Sequence, residues 1–135
     1  MVNPRELPMR IPESLGEAGE IQEAVARKVA AAPPVPLGRV RRVAGADASY
    51  STDGRTVHAA AAILALPDLR IIEESHVTRE ALFPYLPGFF AFREGPAVIA
   101  AIGALAKEPH PPQSRGVAPV LQIVVRKPRL GARLR

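Results

Sequence analysis

Two carboxylates stand in settings where a carboxylate can do more than solvate a surface. Asp47 falls inside a strand-like stretch, and Glu94 falls just ahead of an expected helix. Hard divalent cations such as magnesium take oxygen ligands and keep several waters, so a few acidic side chains from separate elements are enough to hold one. Asp47 and Glu94 could converge in that way. Plainer roles are equally open: a strand aspartate satisfied by backbone donors, and a glutamate stabilised by the unpaired N–H groups at a helix start. Arg93, next to Glu94, could bind an anion or pair with a carboxylate. Other chemistries lack their residues. The chain has no cysteine, which removes a thiol nucleophile, a zinc-thiolate site and a disulfide framework. It shows no Ser-His-Asp arrangement, glycine-rich phosphate loop or metal-spaced histidine cluster. His58 and His76 occupy ordinary strand positions and read as structural or solvent-facing.

The elements that must position these residues lie between clusters of proline. The chain has 15 prolines, grouped around Pro4 to Pro12, Pro33 to Pro36 and Pro109 to Pro119. Each cluster reads as coil, because proline lacks a backbone donor and cannot continue a helix. In Glu20 to Ala32, apolar Ile21, Ala24, Val25, Val29 and Ala32 recur at intervals of three and four, which predicts an amphipathic helix stopped by Pro33 and Pro34. Val40 to Tyr50 reads as a strand with Val43, Gly45, Asp47 and Ser49 on one face and Ala44, Ala46, Ala48 and Tyr50 on the other. Asp53-Gly54 supplies a turn. Val57 to Leu66 is an almost unbroken run of small apolar residues, suited to a central strand covered on both faces, although its alanines also suit a helix. Arg70 to Glu80 reads as a third strand near an edge. Three strands joined by short turns favour an antiparallel meander. Past the compact segment Phe83 to Phe90, Pro96 to Lys107 predicts a second helix with Pro96 at its first position, where a missing N–H costs nothing.

The 135 residues are enough for one domain with a modest core. The longest apolar stretch, Ala59 to Pro67, is too short to span a bilayer, and the first ten residues hold no signal-like apolar run, so a soluble, cytoplasmic protein without membrane partners is expected. Net charge is +5, but residues after Glu108 contribute six basic groups and no acidic ones, while the first 108 carry 12 basic against 13 acidic groups. The basicity belongs to residues 109–135, a Pro- and Arg-rich segment that could contact phosphates or simply be solvated. A strand over Val117 to Val125 is conceivable there.

The segment Val43-Ala44-Gly45-Ala46-Asp47-Ala48-Ser49-Tyr50 resembles the first-strand motif of the endonuclease V family. Pro84-Tyr85-Leu86-Pro87-Gly88-Phe89-Phe90-Ala91-Phe92-Arg93-Glu94 resembles the family's Pro-Tyr-x-Pro-Gly-Phe segment followed by Phe-Arg-Glu. Two motifs in the right order at near-family spacing are far more specific than a lone Gly-x-Asp. The resemblance implies an α/β fold of the ribonuclease H-like type, here the N-terminal part over residues 1–108, and a monomer that cleaves the second phosphodiester bond 3′ to deoxyinosine in DNA, or acts on inosine in RNA, with Mg2+. It assigns Asp47 and Glu94 as catalytic metal carboxylates. It makes Tyr85 a strand-separating wedge, stiffened by Pro84 and Pro87, with Gly88 allowing close approach to a strand and Arg93 nearby for a phosphate. Tyr85 could instead pack on the sheet or make a turn.

The pattern departs from the family after the second helix. The family continues into a strand ending in a Val-Asp-Gly-His-Gly-like motif that gives a third metal carboxylate. Here Leu105-Ala106-Lys107-Glu108-Pro109 runs into His110-Pro111-Pro112, and no acidic residue follows Glu108. One explanation is a lost internal block, with His110 to Ala118 resembling a later His-Pro-Arg-Arg-x-Gly-x-Ala stretch and Lys127 the phosphate-contacting lysine. The other is an out-of-frame or unrelated end. Either way two outcomes are open: an active nuclease, or a nucleic-acid-binding remnant whose metal site is incomplete.

Overall fold

The computed structural model describes residues 10–33, 38 and 40–105. Five elements follow in chain order: α1 (Leu15–Ala30), β1 (Arg42–Tyr50), β2 (Thr56–Ala65), β3 (Arg70–Glu80) and α2 (Phe90–Leu105). The expected strand over Val117 to Val125, the basic segment and Lys127 lie outside the described residues.

The first helix starts five residues earlier than the apolar periodicity predicts. Ser14 is its N-cap, in extended conformation, and its hydroxyl accepts the Glu17 N–H at 3.1 Å. This meets one of the helix's orphan donors. The Glu17 carboxylate accepts the Glu13 N–H at 2.6 Å and pairs with Arg10. These contacts, the backbone donor first, hold its pKa below the usual value. The helix ends ahead of Pro33, as expected.

β1, β2 and β3 form an antiparallel meander in that spatial order, with β2 central. Asp47 pairs with Ala60, and Ala60 with His76; Tyr50 pairs with Val57. In the β1–β2 turn, Gly54 sits at φ +70 and donates its N–H to Ser51 O at 2.8 Å. The Asp53 carboxylate accepts the Ser51 hydroxyl at 2.6 Å and the Arg55 N–H at 3.0 Å, and both donors, the hydroxyl first, depress its pKa.

α2 lies across one face of the sheet. Ala46, Val57, Ala59 and Ala61 from the strands meet Ala97, Val98, Ala101 and Leu105 from the helix. The small side chains bring helix and sheet close enough for the Ser75 hydroxyl to donate to the Ala101 carbonyl at 2.6 Å. β2 was expected to be covered on both faces; within the described residues only the α2 face is, and His58 and Ala60 on the other face are exposed. α2 also begins six residues before the expected start. Pro96 is therefore internal, and Glu94 sits within the helix instead of ahead of it. Proline at that position forfeits one helical hydrogen bond. Burial of Phe92, 1% exposed, against Phe83, Ala18 and Ile21 draws the preceding turn into the helix regardless. α1 packs on the segment 83–89 and Phe92, in a second apolar cluster separate from the one under the sheet.

Candidate active site

Asp47 is exposed on the uncovered face of the sheet, the face opposite Ala46 and Ala48. Its carboxylate is drawn toward the outer edge of β1. Ser51 donates its backbone N–H to Thr56 O and Leu66 donates to Arg41 O, so odd-numbered residues of β1 turn their backbone groups to β2 and even-numbered ones turn outward. The Ala48 N–H thus lies on an edge that no described strand covers, and Asp47 Oδ1 accepts it at 2.8 Å. Beside Asp47 on the open face is a shallow depression of about 400 Å³ that Ser49, His58, Ala60, His76 and Thr78 also line. His58 Nδ1 lies 3.1 Å from the Thr78 hydroxyl, and both histidines are exposed.

Glu94 approaches β1 from the other face. Tyr50, the last residue of β1, points to the α2 side and donates its hydroxyl to Glu94 Oε1 at 2.7 Å. Half-burial of the phenol, and then the bond to the carboxylate, push the Tyr50 pKa well up, with Arg93 opposing. Asp47 and Glu94 share no partner among the described residues. The rim of β1 is where their two faces meet, and no group of three metal-ligating side chains forms among the described residues.

Arg93 is bound in a way the sequence did not suggest. Nη1 donates to Phe83 O at 2.7 Å, Nη2 donates to Gly54 O, and the guanidinium lies 4.9 Å from the centre of the Tyr50 ring. One side chain therefore ties the β1–β2 turn to the chain entering the Tyr85 segment. Arg93→Met should lower stability by about 2–4 kcal/mol, since it removes two charge-assisted bonds and leaves their acceptors partly buried. Urea denaturation measures this; a loss of nucleic-acid affinity at unchanged stability would point to a phosphate ligand instead.

Tyr85 projects from the segment between β3 and α2. It is 62% exposed, and its ring stands 4.6 Å from that of Phe90 at 59°. Pro84 and Pro87 on either side are exposed as well. Gly88 sits at φ +86, and nothing lies within 4 Å of where its Cβ would be. The positive φ favours glycine there, and the space beside its Cα is open. Gln22 of α1 donates to the Gly88 carbonyl at 2.7 Å, so α1 braces this segment by a hydrogen bond as well as by packing.

The family model for endonuclease V matches residues 23–131. The chain belongs to the endonuclease V family. An endonuclease V from Nostoc punctiforme is 35% identical over 130 residues, covering 89% of this chain and 58% of the relative. The crystal structure of the Streptomyces avermitilis endonuclease V superposes with a TM-score of 0.65 at 37% identity, over 78% of this chain and 45% of that one. The Ciona intestinalis endonuclease V, solved with a 24mer DNA containing an inosine followed by a ribo-adenosine, has a TM-score of 0.61 at 24% identity, over 73% of this chain and 42% of that one, and speaks to the fold alone. The fold is ribonuclease H-like, and this endonuclease V family member spans about half the length of the relatives it matches. Tyr50, the hydrogen-bond partner of Glu94, is the residue that sequence reasoning passed over. Strand alternation put it on the face opposite Asp47 but gave no sign of its contact with Glu94.

Proposed function

We propose that this chain carries the strand-opening element and two metal carboxylates of a nuclease acting on inosine-containing nucleic acid, in the manner of its family. The reaction is hydrolysis of the second phosphodiester bond 3′ to deoxyinosine, a DNA repair activity, or the equivalent cut at inosine in RNA. The observation that carries this reading is the joint hold on Tyr85 and Glu94. The exposed ring stands against Phe90, its segment is hydrogen-bonded to α1 at Gly88, and Arg93 ties that segment to the turn following Tyr50, which holds Glu94. Tyr85 would stack where a base has left the helix, with Pro84, Pro87 and Gly88 fixing its backbone.

The donor set fits a hydrated magnesium ion. Each carboxylate has one oxygen held by a single protein donor and the other without a hydrogen bond among the described residues. Magnesium is commonly held by one or two carboxylates plus water and phosphate oxygens. When bound, such an ion makes water nucleophilic and offsets charge on the leaving oxygen. Asp47 and Glu94 hold negative charge on either face of β1, Tyr85 separates the strands, and Lys127 supplies a phosphate contact. We also place the protein in the cytoplasm as a monomer. The family match through residue 131 supports reading the basic segment as the family's later stretch instead of unrelated sequence.

A second reading, binding without cleavage, is favoured by the lack of a third metal-ligating side chain among the described residues. Gel-shift and cleavage assays on an inosine-containing strand and its inosine-free counterpart, with and without Mg2+, separate the two. Magnesium-dependent cuts confined to the inosine strand establish the nuclease; salt-sensitive binding with no cut establishes the second reading. In either case Tyr85→Ala should weaken binding roughly 5- to 150-fold, the equivalent of about 1–3 kcal/mol for one stacked base. Its thermal stability should barely change. Unaltered affinity would remove Tyr85 from the interface.

A further inference from the structure

Glu94 is half-buried, and an arginine stands next to it in sequence, yet the two do not pair. The Arg93 donors go to Phe83 O and Gly54 O, and its guanidinium lies over the Tyr50 ring. Among the described residues the hydrogen-bond partner of the Glu94 carboxylate is a neutral phenol, 2.7 Å from Oε1. A neutral donor fixes the orientation of a carboxylate without cancelling its charge. Among the described residues Oε2 accepts no hydrogen bond, so that oxygen stays open to a further ligand.

We infer that Tyr50 is a positioning residue for the metal carboxylate: its hydroxyl holds Glu94 through Oε1 and leaves Oε2 for a divalent cation. The ring alone would serve packing. It sits at the border of the apolar cluster under α2, where phenylalanine would fill the same space. The oxygen is what the packing does not explain. Its place is fixed from both sides, by the β1 ladder through the Tyr50–Val57 pair and by Arg93 over the ring. Because Arg93 also holds Phe83 and Gly54, the orientation of Glu94 is linked to the chain that leads into Tyr85. Partners of this kind, hydrogen-bonded to a metal-ligating carboxylate, orient it, and their removal typically costs about 10- to 100-fold in metal affinity.

This inference rests on the assignment of Asp47 and Glu94 as metal carboxylates, so the test follows metal binding directly. Mn2+ affinity of the full chain is measured by water-proton relaxation for the wild type, Tyr50→Phe, Glu94→Gln and Asp47→Asn, with a thermal melt of each. Tyr50→Phe is expected to raise the Mn2+ dissociation constant about 10- to 100-fold. Its melting temperature should stay close to wild type, because the ring and its contact with Arg93 remain. A role in packing alone would move the melt and leave Mn2+ binding in place. If Glu94→Gln and Asp47→Asn weaken binding while Tyr50→Phe stays within a factor of two of wild type, the role of Tyr50 is overturned and the metal assignment stands. If the wild type shows no saturable Mn2+ binding, or neither carboxylate variant alters it, the metal assignment fails and the role of Tyr50 fails with it.

Discussion

Asp47→Ala should abolish magnesium-dependent cleavage of an inosine-containing strand while leaving the fold intact. The size of the loss follows from what the carboxylate would do. A group that stabilises charge at a reacting phosphate is typically worth at least about 10²–10³ in rate, or roughly 3–4 kcal/mol of barrier. The small structural cost follows from where the side chain sits. Asp47 is exposed, and among the described residues its carboxylate accepts only the neighbouring Ala48 N–H, which water can satisfy at the open edge of β1. Exposed substitutions of this kind usually change stability by about 0.5 kcal/mol or less. Activity and stability should therefore separate. Cleavage is followed on a labelled strand and stability by urea titration. An Asp47→Ala protein that cuts as fast as wild type removes Asp47 from the mechanism, and one that has lost several kcal/mol shows that the aspartate serves the fold.

How far the sequence led depended on whether an element's partner was local. The strands were legible. Alternation in Val43 to Tyr50 and the run of small residues from Val57 reflect a pleat with one face pressed on a helix, and the register puts Asp47 and Tyr50 on the faces expected of them. The start of α2 was misjudged for a physical reason. Pro96 is an excellent first helical residue, so local chemistry argued for a start there, but Phe92 gains its burial from α1 and Phe83, which are distant in sequence. That one error hid Tyr50. With Glu94 placed ahead of the helix, nothing suggested that a strand-end phenol would meet it; with Glu94 one turn inside α2, the two are neighbours. The early start of α1 had a readable signal in Ser14-x-x-Glu17, which two helical glycines, Gly16 and Gly19, masked. The packing of α1 against the Tyr85 segment instead of the sheet had none. An amphipathic stripe records that a helix has a partner, not which one.

Each part of the candidate site answers to a different one of the molecule's two cores. Asp47 and Tyr50 are placed by the sheet and the alanine-rich cluster under α2, whereas the residues flanking Tyr85, Phe83 and Leu86, pack with Phe92 and α1 in the second cluster. α2 belongs to both, with Ala97 to Leu105 in the first and Phe92 in the second. Glu94 lies between them. A disturbance of the second core should therefore be felt at the Tyr85 segment more than at the strands.

Phe92→Ala tests that division. The ring is 1% exposed, with its centre 5.4 Å from that of Phe83 and 6.3 Å from that of Phe89. Truncating a buried phenylalanine typically costs about 3–5 kcal/mol, from lost transfer energy and from the cavity left behind. Small domains have only about 5–15 kcal/mol in all, and at 135 residues each kcal/mol shifts the melting temperature by about 3–5 °C, so a fall of roughly 10–20 °C is expected. The loss should not be uniform. Ala18 and Ile21 of α1 pack in the Phe92 cluster, so native-state hydrogen exchange in Phe92→Ala should show α1 amides opening ahead of those of β2, whose Val57, Ala59 and Ala61 keep their contacts with Ala97 to Leu105. Phe92→Leu, which keeps most of the volume, should cost much less and preserve the order of exchange. Were α1 and β2 to open together in both variants, the two clusters would form one cooperative unit, and the Tyr85 segment would have no stability separable from that of the sheet carrying Asp47.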